Sequence, residues 1–443
     1  MKKKVLILVY YWPPAGGVSV QRWLNFVTQI RQFGWEPTIY TADNPVYAVS
    51  DEALQNKVPV GVKVLKTKVP EPNNLFRRIL FWKKDINNSI YRNQQQKSSK
   101  WSIVKTLLWW VRGNFFIPDA RFLWIRPSIN FLAEHLRREK YDLILSSGPP
   151  HSLHLIAKGL VKAFDLPWIA DFRDPWTSMD YLQAIKLTSY ARKRHWNLEA
   201  SVIKGADQVV VVGRAMQEEY RKSHQVESKV IYNGYNPSKS FEGSVELDHK
   251  FTILHLGSFL PNRNCDDLWR VLSRRVEDNN ELASKLEIKL VGKVAPNVLD
   301  SIKKEGLSPY LNHIDYVKHD EVFAILRSAH VLLLPIDRIP NAEFVVTGKI
   351  FEYLQARRPV LLLGPDYGDA AGIITDCKAG YCCNFEDENA IEKALGELFT
   401  SYLKADEKEL GNRIEQYSSA RQLKVYADLM NELVDQKRIK SND

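Results

Sequence analysis

The chain has 443 residues, a net charge of +10 and 45% hydrophobic residues. That length exceeds what one hydrophobic core supports, so two or three domains are expected, and the ordinary apolar and charged fractions exclude a disordered or fibrous chain. The basic balance points to an acidic partner: phosphate, nucleic acid or anionic lipid.

Cys265, Cys377, Cys382 and Cys383 show neither zinc-ligand spacing nor a disulfide framework, as expected in a reducing cytoplasm. The opening MKKKVLILVYYWPP imitates a signal peptide. Its apolar run spans only about eight residues, stops at Pro13-Pro14 and lacks a small-residue cleavage site, so a buried first strand is expected. No run approaches the roughly 18 apolar residues of a spanning helix.

Short apolar runs then alternate with helix-length segments, the pattern of a doubly wound α/β chain. The first half offers VLILVYY (5–11), PTIYTA (37–42), YDLILSS (141–147), PWIADF (167–172) and QVVVVG (208–213). After the turn-rich, aperiodic stretch 236–250 the pattern restarts with FTILHLGS (251–258), LEIKLVG (286–292), HVLLLP (330–335) and PVLLLG (359–364). Two Rossmann-like domains are expected, 1–240 and 245–411. Residues 412–437 form a mostly polar amphipathic helix with Tyr417, Leu423, Tyr426, Leu429 and Leu433 as its apolar positions.

Residues 74–126 break the alternation. Eleven Lys or Arg face only Asp85 and Asp119, with tryptophans at 82, 101, 109, 110 and 124 among them. Basic charge beside Trp, Phe and Leu suits an anionic membrane surface. It also suits a single-strand nucleic-acid stacking surface, or an insert whose aromatics fill the first core.

Candidate site residues lie where strands run into loops, the ligand edge of a parallel sheet. Gly16 and Gly17 precede a helix carrying Arg22, where backbone amides can approach a phosphate or sugar. His151 follows the strand YDLILSS. Asp171, Arg173 and Asp174 crowd beside Trp176, either to orient hydroxyls by charge-assisted hydrogen bonds or as an internal salt-bridge network. In the second half, Ser258 and Arg263 follow FTILHLG, where the arginine can meet a diphosphate. In TGKIFEYLQARRPVLLLG (347–364), Thr347 is an N-cap candidate. Gly348 permits close backbone approach, Lys349 adds positive charge, and Glu352 can accept hydrogen bonds from a diol.

The order of these motifs over nearly the whole chain resembles the retaining glycosyltransferases of family 4. YYWPPAGGVSVQRW, DFRDPW, GADQVVVVG and IYNGYNP resemble a subgroup acting in bacterial cell-surface polysaccharide synthesis. The resemblance implies a GT-B fold: two domains facing across a cleft, a nucleotide sugar on the second, the acceptor on the first, and a last helix crossing back. Together with the residue chemistry it gives the expected donor contacts: Gly16, Gly17, Ser258, Glu343, Thr347, Gly348 and Glu352. Catalytic roles fall to His151, Arg263 and Lys349, and acceptor contacts to Arg22, Asp171, Arg173 and Asp174. Arg263 matches the second cation of the family's Arg-x4-Lys pair, with Ser258 at the first position. Glu352 matches the second glutamate of E-x7-E, while Phe344 occupies the first position and Glu343 lies one residue away. Front-face attack by the acceptor then needs neither a protein nucleophile nor a cofactor, and no DxD motif suggests a metal. The expected partners are a nucleotide sugar, a glycan or lipid-diphosphate-linked acceptor and an anionic membrane surface. The expected place is the cytoplasm, peripheral at the inner face of the plasma membrane. A GT-B-fold nucleotide-sugar epimerase and a non-catalytic glycan- or nucleic-acid-binding protein remain alternatives.

Overall fold

The computed structural model describes residues 2–45, 47, 50–70, 100–179, 182, 185–236, 245–318, 321–405 and 413–442. The part of the basic insert before residue 100, with Trp82, therefore lies outside the described residues, as does most of the expected linker.

The chain divides into two compact units, 1–233 with 420–443, and 234–419. The first holds a seven-stranded sheet of β1 (Lys3–Leu8), β2 (Trp35–Ala42), β3 (Lys63–Thr67), β4 (Leu143–Gly148), β5 (Trp168–Phe172), β6 (Gln208–Val211) and β7 (Ser228–Val230). Its order is β3-β2-β1-β4-β5-β6-β7, with all strands parallel. The second holds β8 (Phe251–Leu256), β9 (Leu286–Val291), β10 (Leu311–Ile314), β11 (Val331–Pro335), β12 (Val360–Leu363) and β13 (Gly380–Cys383). They lie in the order β10-β9-β8-β11-β12-β13, again all parallel. These are two Rossmann-like sheets, the architecture of a GT-B fold.

The nine expected strands are all present, though β1 ends at Leu8 rather than running to residue 11. The four that the apolar runs did not announce, β3, β7, β10 and β13, are the four sheet edges. A central strand covered on both faces reads as a continuous apolar run. An edge strand such as KVLKT or LNHI is half solvated and carries lysine or histidine instead.

The terminal helix Ser419–Asn442 belongs to the first unit. Leu423, Tyr426, Ala427, Met430 and Val434 are buried with Val5, Ile7, Trp23 and Val27 in the core on one face of the first sheet. Among the described residues no helix is long and apolar enough to cross a membrane.

Strand order decides where ligands can sit. Each sheet reverses its winding direction once, between β1 and β4 and between β8 and β11. At such a point the loops after the two strands diverge and leave a crevice at the carboxyl edge. In the first unit these are the loops of Gly16, Gly17 and His151. In the second they are the loops of Ser258, Arg263, Glu343 and Thr347.

Candidate functional site

In the second unit two cations meet at the end of β8. Lys349 Nζ lies 3.3 Å from the Ser258 carbonyl oxygen and Arg263 Nη1 3.4 Å from the same atom. Ser258 itself carries no charge, yet Lys349 reaches its carbonyl from the helix Gly348–Ala356. Gly257 makes this approach feasible. Its φ is +93°, and a Cβ there would sit 3.0 Å from Lys349 Cε.

Each cation is held from behind. Arg263 forms a fork with Asp337, Nε to Oδ1 at 3.0 Å and Nη2 to Oδ2 at 2.7 Å. Asn262 donates to the same carboxylate at 2.9 Å. Lys349 Nζ is 3.0 Å from His255 Nε2, while His255 Nδ1 is 3.0 Å from the Leu333 carbonyl. A carbonyl only accepts, so Nδ1 carries the proton and Nε2 is left as the acceptor for lysine. Burial and the neighbouring Lys349 charge keep this ring neutral, well below the usual histidine range. Burial, reinforced by Arg263, brings the Lys349 ammonium down to about 7, against the opposing pull of Asp337 and Glu352.

The helix Gly348–Ala356 starts directly beside this pair. Thr347 occupies the N-cap position in extended conformation, but its side chain makes no cap hydrogen bond. The expected capping contact is therefore not made. Its hydroxyl is buried without a partner among the described residues, a state that normally marks a bound water or ligand. Glu352, one turn further, is exposed. Tyr353 behind it binds β8 to β11, accepting from the Leu256 amide at 3.1 Å. Glu343 lies in the short turn Ala342–Phe344. That turn is pressed against Gly368, where a Cβ would come within 2.9 Å of Glu343 Cα.

The first unit's carboxyl edge is built differently. Gly17, with φ of +101°, precedes the helix Val18–Gln29, and a Cβ there would meet nothing within 4 Å. Arg22 and Asp171 do come together, as a buried ion pair at 3.0 Å with side chains 7% and 0% exposed. The other Asp171 oxygen accepts from Ser147 at 2.8 Å, and Arg22 also donates to Asn233 at 2.9 Å. Of the two readings of this cluster, these contacts are those of an internal network: the pair ties β5 to the first helix and presents neither group to solvent. Arg173 turns to the Pro149 carbonyl at 2.8 Å. Asp174 remains half-buried beside it.

His151 is buried under Trp176, the rings 4.6 Å apart and 4° from parallel. Neither ring nitrogen has a hydrogen-bond partner among the described residues. Burial, with nearby His154, His195 and Arg173, holds it neutral, well below the ordinary range. Gly148 leaves room for this arrangement, since a Cβ would fall 2.6 Å from His154 Nε2 and 2.9 Å from His151 Nδ1.

Sequence reasoning passed over His255, His154 and Asp337. Two of them carried a signal: His255 is a histidine inside an otherwise apolar central strand, and Asp337 is the first charge after VLLLPI.

The family model described as Glycosyltransferase Family 4 matches residues 98–239, and that described as Glycosyl transferases group 1 matches residues 250–401. No curated protein matches this sequence. Among solved structures, the Candida albicans trehalose-6-phosphate phosphatase N-terminal domain is similar at a TM-score of 0.63 and 11% identity, covering 98% of this chain and 97% of that one. A Staphylococcus aureus TarM variant in complex with Fondaparinux, alpha-GlcNAc-glycerol and UDP gives 0.58 at 13% identity, covering 97% and 100%. WaaG, a glycosyltransferase involved in lipopolysaccharide biosynthesis, gives 0.52 at 14%, covering 97% and 98%. The fold is shared across these low identities, and the two family models fall in sequence order on the two halves of the chain: it is a family 4 glycosyltransferase of the GT-B fold, transferring a sugar from a nucleotide sugar.

Proposed function

We propose that this enzyme moves a hexose, with retention, from a nucleotide-diphosphate sugar to a glycan or lipid-linked acceptor in cell-surface polysaccharide synthesis. The observation that carries the donor assignment is the meeting of Arg263 and Lys349 at the Ser258 carbonyl, beside the amide end of the Gly348–Ala356 helix. Two cations and free amides are what a departing diphosphate needs. Thr347 and Gly348 bind the phosphates, and the exposed Glu352 carboxylate accepts from the ribose hydroxyls. Glu343, offered by its turn, takes the sugar-hydroxyl role that Phe344 cannot.

On the first unit, Gly16 and Gly17 line the donor phosphate and acceptor. Arg22 and Asp171 act as positioning residues that hold the carboxyl-edge loops. Arg173 and Asp174 contact the acceptor. His151 contacts the transferred sugar once Trp176 moves off it. The acceptor attacks the anomeric carbon on the face the diphosphate leaves. Its hydroxyl proton passes to the departing phosphate, so the C–O bond to phosphate breaks as the new glycosidic bond forms. The polysaccharide role is supported by the sequence motifs and by the similarity to WaaG, involved in lipopolysaccharide biosynthesis.

The test is product formation from labelled UDP- and GDP-sugars with lipid-diphosphate acceptors, preceded by thermal shifts against a nucleotide-sugar panel. A ligand at 100 times its dissociation constant stabilises by about 2.7 kcal/mol. No shift and no product with any donor would overturn the assignment.

A further inference from the structure

The segment Ile185–Leu198 attracted no notice in the sequence, yet it is docked on the basic, aromatic helix Lys100–Phe115. Asn114, buried, accepts from the Thr188 amide at 2.7 Å and donates to the Lys186 carbonyl at 3.4 Å. His195 closes the contact. Its Nδ1 accepts from Trp176 Nε1 at 3.2 Å, so Nε2 bears the proton and faces the Gly113 carbonyl at 3.3 Å. A Cβ on Gly113 would sit 3.0 Å from Ile185, so the two pieces pack at backbone distance.

What this pair turns outward has one electrostatic sign. On the helix Ser189–Ile203, Ala191, His195 and Glu199 face inward, while Arg192, Lys193 and Arg194 are exposed, as is Lys186 just before it. Residues 106–116 and 185–198 contain five Lys or Arg and no Asp or Glu. The same two elements also expose large apolar side chains: Leu107, Phe115, Tyr190 and Trp196 are 57%, 66%, 70% and 42% exposed. A surface built only to be solvated has no use for four such groups, and one built only for phosphate has no use for leucine and phenylalanine. The combination matches a lipid headgroup layer, where aromatic and aliphatic tips enter and cations stay with the phosphates.

We propose that this docked pair is an anionic-membrane surface, made jointly by Lys100–Phe115 and Ile185–Leu198. This deepens the reading above, since it brings a lipid-linked acceptor to the enzyme. The surface is wired to the carboxyl-edge loops of its own sheet. Asp119, just past the helix, accepts from the Ser152 amide and hydroxyl at 2.8 Å each. His195 holds Trp176, which covers His151.

The test is co-sedimentation of the full chain with vesicles of phosphatidylcholine alone or with a quarter phosphatidylglycerol. Binding is expected only to the anionic vesicles, weakening as salt rises. The triple variant Arg192→Ala, Lys193→Ala, Arg194→Ala should bind about 100-fold more weakly, at about fivefold per cation removed. Leu107→Ser with Phe115→Ser should weaken binding in a salt-insensitive way. All these side chains are at the surface, and an unchanged melting temperature checks that each variant folds. Variants that bind like the wild type would overturn the proposal. So would a wild type that ignores anionic vesicles, or one that a dT oligonucleotide strips from them. Thermal stabilisation by UDP or GDP reports on the donor site separately. Its absence with vesicle binding intact would break the glycosyl-transfer reading and leave the surface standing.

Discussion

The two sheets reverse direction in the same way, yet their carboxyl edges hold opposite chemistry. In the second unit Arg263 and Lys349 are only partly buried, each braced by a hydrogen-bonded partner, Asp337 or His255. In the first unit the charges of Arg22 and Asp171 are sealed inside, and the edge is finished with stacked rings, His151 on Trp176. A charge that must meet a leaving diphosphate has to remain accessible and be oriented by neighbours. A charge that fixes loops works best where water cannot compete. In the proposed function the same fold position serves binding in one half and positioning in the other.

The comparison breaks first if the buried pair is not structural. Asp171→Ala strands the Arg22 guanidinium and should cost about 3–5 kcal/mol in urea unfolding. Asp337→Ala leaves its arginine closer to solvent and should cost about 1–3 kcal/mol. Equal losses would erase the distinction between the two edges.

Arg263→Ala should fold normally and lower turnover about 100-fold, as removing one transition-state donor does. Full activity in that variant would remove the arginine from the chemistry. A smaller loss is expected for Glu352→Ala, about tenfold in nucleotide-sugar affinity with turnover nearly kept. Isothermal titration with the donor separates the two effects, and an unchanged affinity would cancel the ribose contact.

The smallest effect concerns protons. Lys349 is held down to about 7 in the free enzyme, whereas a bound diphosphate favours its charged form. Donor binding should therefore take up a proton above pH 7, and affinity should fall about fivefold between pH 7 and 8. Calorimetry with UDP in buffers of different ionisation enthalpy measures the uptake, which Lys349→Met should abolish. The sign is opposite in folding: the folded state binds fewer protons than the unfolded chain between about pH 7 and 10. This group's penalty on stability is accordingly full below pH 7 and lifts as pH rises.

By itself the sequence determined the architecture: nine central strands, their alternation with helices, and the loops that end them. Burial on both faces leaves a strand no choice but a continuous apolar run, and that run is visible without coordinates. The edge strands β3, β7, β10 and β13 escaped because a half-solvated edge is free to carry polar residues. Glu352 and Arg263 were also visible, since each follows a strand end at a set distance. Only the tertiary structure decided what those residues touch. His255 and Lys349 are separated by 94 positions, Arg263 and Asp337 by 74, and Arg22 and Asp171 by 149. Strand order, not chain order, brings such pairs together, so spacing along the sequence carries no trace of them. The same holds for Ile185–Leu198, an ordinary basic stretch until Asn114 and His195 dock it on its aromatic neighbour.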